Sequence, residues 1–380
     1  MKTLKILLTL AIFSSVCFAQ NSIELINACK NGDLQTVKTL IRSGADINSE
    51  DENRITALMW AAKNGHLEVV KELIKYGADV SYNSEIYYHG YHNISRDNDY
   101  YNKEEPFCYA IDGDNIEILK LIIKKIEDTY SKDTYLVSLN NAIRHSIIRN
   151  KIEISKLLLN SGVDIYYKYY AYVYKSEDGK SHHNLTPIKL AAITRNLEIL
   201  KEMVKLIGNN DKPKNLYDVL AFACRVNNNV DIVKYLIREG ASVNSPYNEL
   251  VSLALVNTIE NEDIAMMKEL IRAKVHLNIG KDTPLMLAIR INNLEIVKEL
   301  IKSGASVKGK QYKDSLLLDN SLLIWAISWC KDVDISIIEE LIKAGVDINI
   351  KNFTGETALM VAVKQKRFDI VELLEKYGAN

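Results

Sequence analysis

The residues that could do chemistry are few and scattered. His89 and His92 form an H-x-x-H pair inside EIYYHGYHNIS, and His182-His183 stand together in a second irregular stretch. Imidazoles at such spacing suit zinc, copper or nickel. A metal centre needs a fuller ligand set, and neither acid nor thiol stands at a telling distance from either pair, so no metal and no cofactor is expected. Past the first twenty residues the thiols are Cys29, Cys108, Cys224 and Cys330. The chain shows no nucleophile elbow, no phosphate-cradling loop, no H-E-x-x-H helix and no dinucleotide glycine pattern. Its Asp and Glu fall beside Lys, as on solvated helix faces. No catalytic residue is assigned, and the chain reads as a non-enzyme.

Composition narrows the field further. The 380 residues carry a formal net charge of -1. A general nucleic-acid binder needs a phosphate-neutralising basic excess, so none is expected as partner. The length exceeds one ordinary compact core and suits several domains or an elongated array. The start, MKTLKILLTLAIFSSVCFAQ, has a basic opening at Lys2 and Lys5 and an apolar run from Ile6 to Val16. Small residues precede a cut after Ala19, the layout of a secretory signal peptide over 1–19. Cleavage at Cys17 as a lipoprotein is the weaker reading, because bulky Val16 sits where a small residue is wanted. Nothing later reads as a membrane span, so a periplasmic or secreted chain is expected. Asn93 and Asn184 head glycosylation sequons by pattern, to which a bacterial-type leader gives little weight.

The elements that must position any site come from a repeated phrase. GHLEVVKELIKYGADV at 65–80 returns as GDLQTVKTLIRSGADI, NVDIVKYLIREGASV, NLEIVKELIKSGASV, DISIIEELIKAGVDI and RFDIVELLEKYGA. Leu67, Val70, Leu73 and Ile74 make one apolar stripe at helical spacing. Gly77 follows the last apolar turn and fits a left-handed helix end, as do Gly44, Gly162, Gly240, Gly304, Gly345 and Gly378. Asp46, Asp79, Asp164 and Asp347 come two residues later, where a turn begins. A shorter helix precedes each phrase: TALMWAAKN, TPIKLAAITRN, TPLMLAIRINN, TALMVAVKQK. Thr186-Pro187 and Thr283-Pro284 suit an N-cap and first turn.

This unit of short helix, turn, longer helix, glycine and turn resembles the ankyrin repeat, whose T-P-L-H-x-A hallmark is close to TPLMLA. Gly44 to Gly77 and Gly345 to Gly378 match the roughly 33-residue ankyrin period. The resemblance covers nearly all of 20–380 and implies a mainly α solenoid of about ten helix-turn-helix units. They begin near 22, 49, 82, 126, 166, 209, 245, 280, 308 and 351. Lys124-Lys125 replaces the closing glycine in unit three and Lys274 in unit seven. Adjacent units touch and distant ones do not, so the four cysteines are expected as small buried hydrophobes without disulfides. Trp60 and Trp325 align on one slot and are expected to pack in the core, while His66 belongs to the repeat turn. Glu372, Glu375 and Lys376 are expected to point outward and help cap the last unit.

Three segments break the period, near 82–104, 166–185 and 308–320. All follow the end of a longer helix and enlarge the turn between units, where the resemblance implies a finger beside a concave binding surface. The first two hold much of the tyrosine in the chain. YYKYYAYVYK followed by Glu177-Asp178-Gly179-Lys180 reads as a hairpin. Tyrosine gives large contact area at low side-chain entropy. The expected function is a scaffold that binds a protein partner through the concave face and these fingers. Candidate partner-binding residues are Tyr87, Tyr88, Tyr91, Tyr100 and Tyr101 in the first insertion, and Tyr167, Tyr169, Tyr170, Tyr172 and Tyr174 in the second. The rivals are a secreted host-directed effector and, less favoured, a metal-dependent site hidden in the insertions.

Overall fold

Each copy of the phrase folds as a pair of helices joined by a tight turn. The computed structural model describes residues 20–80, 105–167, 173–175, 181–183, 185–208, 212–226, 228–244, 252–279, 282–308, 322–330 and 332–380. Residues 173–175 and 181–183 are described as backbone only. The chain divides into two compact units, one of residues 1–172 and 184–203, the other of 173–183 and 204–380.

The first unit opens with α1 over residues 20–31 and α2 (Leu34–Arg42). Next come α3 (Ala57–Lys63), α4 (Leu67–Lys75), α5 (Pro106–Asp112) and α6 (Ile116–Thr129). Then α7 (Lys132–Ile148), α8 (Ile152–Asn160), α9 (Pro187–Ile193) and α10 (Leu197–Lys205) follow, the last two residues of α10 falling in the second unit. Short helices stack on short ones, α3 on α5, α5 on α7 and α7 on α9. The longer helices stack likewise, α2 on α4 and α4 on α6. Val69, Val70 and Leu73 are the buried face of α4, so the stripe read from sequence is centred one position away from Leu67 and Ile74.

The second unit holds a two-stranded antiparallel pair, β1 (Val173–Lys175) and β2 (Ser181–His183), with Tyr174 opposite His182. The hairpin read from sequence is therefore present. Its helices are α11 (Lys212–Ala223), α12 (Val230–Arg238), α13 (Leu253–Glu260), α14 (Ile264–Arg272) and α15 (Pro284–Arg290). They continue as α16 (Leu294–Lys302), α17 (Leu322–Trp329), α18 (Ile335–Lys343), α19 (Ala358–Lys364) and α20 (Phe368–Lys376). Here too short helices pack in sequence, α11, α13, α15, α17 and α19. Among the described residues the helices make ten pairs, the number of units read from the sequence.

Caps explain where the helices start. Thr56, Thr186, Thr283 and Thr357 each accept from the backbone N–H three residues on, and Pro187 and Pro284 occupy the first turn. In nine of the ten described pairs the turn holds a left-handed residue. Gly32 and Gly65 supply it in the first pairs; Asp114, Asn150, Arg195, Asn228, Glu262, Asn292 and Lys366 do so later. Lys274 likewise takes a left-handed φ of 63° where other units close on glycine. Unit three lacks its glycine for a different reason. Its second helix does not stop there: α6 runs 14 residues against nine in α4, and Lys124 and Lys125 lie inside it.

Neighbouring units are bonded at both ends. Asn64 Nδ2 donates to Lys30 O at 2.9 Å, and His66 Nε2 lies 3.0 Å from the same carbonyl. Asn115 Nδ2 donates to Ala62 O at 2.8 Å, Asn196 Nδ2 to Ile147 O at 2.7 Å and Asn261 Nδ2 to Cys224 O at 3.0 Å. At the other end Asn48, Asn244, Asn278 and Asn349 accept from the backbone N–H of Asp79, His276, Ser306 and Asn380 at 2.7–3.0 Å. Asp46, Asp164 and Asp347 accept from the N–H two residues on, as turn-forming aspartates do.

Candidate functional site

The side chains at the open edge of α1, α3 and α5 form a stack in the first unit. Trp60 sits on α3 five residues before the left-handed Gly65, and Tyr109 sits on α5 five before Asp114. Equal offsets place both on the same row. The row is half-buried, so Trp60 does not enter the core as expected, and neither does Trp325. The core positions are its neighbours Ala57, Leu58, Ala61 and Ala62.

A hydrogen bond fixes the indole. Trp60 Nε1 donates to Asp51 Oδ2 at 2.8 Å, and Asp51 Oδ1 accepts from the backbone of Asn53 and Ile55. Burial acts to raise the Asp51 pKa. The bonds from Trp60, Ile55 and Asn53 and the Lys30 charge outweigh it and hold this carboxyl below its usual range. Lys30 Nζ lies 4.3 Å from the centre of the Trp60 ring and 3.5 Å from Asp51 Oδ2. Lys63 Nζ lies 5.6 Å from the Trp60 ring and 5.9 Å from the Tyr109 ring. Cations over aromatic faces at these distances attract the ring quadrupole. Three consecutive units thus present two aromatic rings and two ammonium groups.

The row changes character at the next unit. His145 of α7 takes the place of Trp60 and is buried, its Nε2 2.9 Å from Asp112 Oδ1. Arg149 Nε reaches the same oxygen at 3.0 Å. Beneath lies Glu105, which accepts from Ser138 Oγ at 3.3 Å and Asn141 Nδ2 at 3.5 Å. Burial pushes the Glu105 carboxyl up to about 7, against the opposing pull of Asn141, Ser138 and the Arg144 charge. These groups lock α5 to α7, and the arrangement includes no activated nucleophile. Burial also drives the Cys29 thiol up to about 12 and raises those of Cys224 and Cys330, the opposite of a reactive cysteine. All four described cysteines are unbridged; Cys29, Cys108 and Cys224 are buried and Cys330 is half-buried.

The tyrosines chosen from sequence fall mostly outside the described residues: Tyr87, Tyr88, Tyr91, Tyr100, Tyr101, Tyr169, Tyr170 and Tyr172. Tyr167 is half-buried and its N–H donates to Asp164 O at 3.1 Å. Tyr174 lies in β1. His89 and His92 are also outside the described residues, and His182 and His183 are strand residues of β2. Among the described residues no group of three or more His, Cys, Asp or Glu could hold a metal ion, and no helix is long and apolar enough to cross a membrane.

A profile of three ankyrin repeats matches residues 25–133 and 310–380, and the single-repeat profile matches 217–248 and 280–310. The chain belongs to the ankyrin-repeat family. Ankyrin repeats are protein–protein interaction modules, and this ankyrin chain is similar to several curated members. It is 28% identical over 194 residues to ankyrin repeat and KH domain-containing protein mask-1 of Caenorhabditis elegans, covering 50% of this chain and 7% of that protein. It is 28% identical over 158 residues to alpha-latroinsectotoxin-Lt1a of Latrodectus tredecimguttatus, covering 38% of this chain and 10% of the toxin. It is 25% identical over 224 residues to the putative ankyrin repeat protein FPV031 of fowlpox virus, covering 53% of this chain and 61% of the viral one. The match therefore spans less than a tenth of the nematode protein's length. Within the ankyrin frame, Trp60, Tyr109, Lys30 and Lys63 are the surface residues that sequence reading missed. The available signal was Asp51, a carboxylate upstream of α3 within reach of an indole N–H.

Proposed function

We propose that this chain is an exported protein-binding scaffold with no chemistry of its own. Its partner is bound through the open side of the short helices and through the tyrosine-rich insertions near 82–104 and 166–185. The observation that carries the reading is the Lys30–Trp60–Lys63–Tyr109 stack. Tryptophan and tyrosine dominate interface hot spots, and a ring held in place before binding loses little entropy on contact. The ten candidate tyrosines extend the same chemistry beyond the helices. The leader at 1–19 supports a periplasmic or secreted location.

The test is a crosslinking pull-down from extract of the source organism with three baits: the intact chain, Trp60→Ala/Tyr109→Ala, and a chain lacking 84–103 and 168–183. A protein captured by the intact bait and lost with Trp60→Ala/Tyr109→Ala supports the helix-face site. Loss with the deletion alone moves the site to the tyrosines. Equal capture by all three overturns both placements.

A further inference from the structure

One charge in the aromatic stack is left without a counter-charge. Asn27, Trp60 and Tyr109 share a row on α1, α3 and α5, and the place three residues later holds Lys30, Lys63 and Asp112. A buried pair precedes each of these, Ala28-Cys29, Ala61-Ala62 and Ala110-Ile111, so the three side chains leave their helices on the same side. Lys30 and Asp112 are satisfied within the chain. Lys30 Nζ lies 3.5 Å from Asp51 Oδ2, and Asp112 Oδ1 lies 2.9 Å from His145 Nε2 and 3.0 Å from Arg149 Nε. Lys63 is exposed, and among the described residues no carboxylate is paired with its ammonium. Its neighbours are the Trp60 and Tyr109 rings at 5.6 and 5.9 Å, near the outer limit of a cation–π contact. Lysines on α4, α6 and α8 are placed differently: Lys71, Lys120 and Lys156 each hold the glutamate three residues before at 2.6–2.8 Å.

An ammonium between two aromatic faces suits a carboxylate that carries carbon beside it. The carboxylate takes the charge, and the carbon packs on the rings. Covering the rings also removes water from the pair and strengthens it. The surroundings admit one such anion and not a row of them. Asp112 stands at the next place beside Lys63, and the chain's formal net charge is -1. A nucleic-acid backbone would set its repeated phosphates against Asp112 and find few cations to neutralise them. A single acidic residue in an otherwise apolar protein segment meets neither obstacle.

Given the protein-binding surface proposed above, on which this step rests, we infer that the stack receives one Asp or Glu side chain of the partner. The carboxylate pairs with Lys63 Nζ, and an adjoining apolar residue covers Trp60 and Tyr109. Lys30, already shared between Asp51 and the Trp60 ring, holds the indole and leaves the anion to Lys63.

The experiment selects random linear peptides displayed on phage against the full chain and four variants: Lys63→Met, Lys63→Glu, Trp60→Ala and, as control, Lys71→Met. Lys63 and Lys71 are both exposed, so their variants should retain the parent's circular dichroism, which is measured alongside. Peptides recovered on the parent should carry an Asp or Glu beside an apolar residue and bind Lys71→Met equally. They should bind Lys63→Met about tenfold more weakly and lose affinity as salt is raised. Selection on Lys63→Glu should return Lys or Arg in place of the acid. Peptides that require Trp60 but tolerate Lys63→Met overturn the inference and leave the binding surface standing. Recovery of no peptide that requires Trp60 overturns the surface and the inference together. Single-stranded DNA that binds more tightly than every acidic peptide, and is lost with Lys63→Met, overturns the choice of a protein carboxylate.

Discussion

The Trp60 indole nitrogen and Asp51 Oδ2 are 2.8 Å apart, and this bond orients an aromatic ring that the helix already places at the half-buried edge of α3. Asp51 belongs to the turn before the helix, so the helix sets the row and the turn orients the ring. Replacing Trp60 by alanine removes the ring that both Lys30 and Lys63 cover. Partner affinity should fall at least tenfold, about 1.4 kcal/mol or more. Asp51→Asn keeps the shape but weakens the acceptor, and should give a smaller loss of affinity. Titration of the captured partner against the three proteins checks the order.

Leu73 is fully buried in α4. Leu73→Ala should cost about 3 kcal/mol of stability through a cavity. Tyr172→Ala, in the second insertion, should stay within about 0.5 kcal/mol of the parent while weakening partner binding. Paired denaturant melts measure both. If Tyr172→Ala proves as costly as Leu73→Ala, that tyrosine is core and not interface.

Gly113 closes α5 against the neighbouring unit, where an added Cβ would collide with the backbone carbonyl of Lys63. Backbone cannot swing aside as a side chain can. Gly113→Ala should therefore cost about 2 kcal/mol. Lys274 gives the reverse case. Its left-handed φ of 63° is strained for a residue with a Cβ, and Lys274→Gly should gain up to about 1 kcal/mol. Thermal melts of the two variants should move in opposite directions.

Burial raises the Glu105 carboxyl to about 7 in the folded chain. An unfolded chain releases that proton near the ordinary Glu value of about 4.3. Between the two values the folded state holds the extra proton, so this residue makes stability fall as pH rises from about 4.3 to 7. The loss is complete above pH 7 and is of order 1–3 kcal/mol. Glu105→Gln should abolish this slope and make the chain more stable than the parent at pH 8, with little difference at pH 4. Urea melts at the two pH values decide it.

The repeat was legible because its marks are backbone requirements. Gly77 and its equivalents answer a left-handed helix end, and Thr186-Pro187 answers a helix start; neither depends on what packs nearby. Asp114, Asn150 and Arg195 were invisible because non-glycine residues tolerate the same conformation at a modest cost, leaving no type to recognise. The long α6 and α7 were hidden for a related reason. Lys124-Lys125 looks like a missing terminator, and only the apolar Ile126, buried beyond it, says that the helix continues. Trp60 was misplaced because helical periodicity assigns a face, and this row lies on the border between faces. A single bond to Asp51 then fixes the ring's orientation on that border.

The carbonyl of Lys30 has its side-chain partners, Asn64 and His66, in the next unit and not in its own. The carbonyls of Ala62, Ile147 and Cys224 wait in the same way for Asn115, Asn196 and Asn261. A newly made unit is thus unfinished until its successor has emerged from the ribosome. Completion of structure should trail synthesis by one helix pair, advancing along the chain as each turn residue arrives to seal the pair before it.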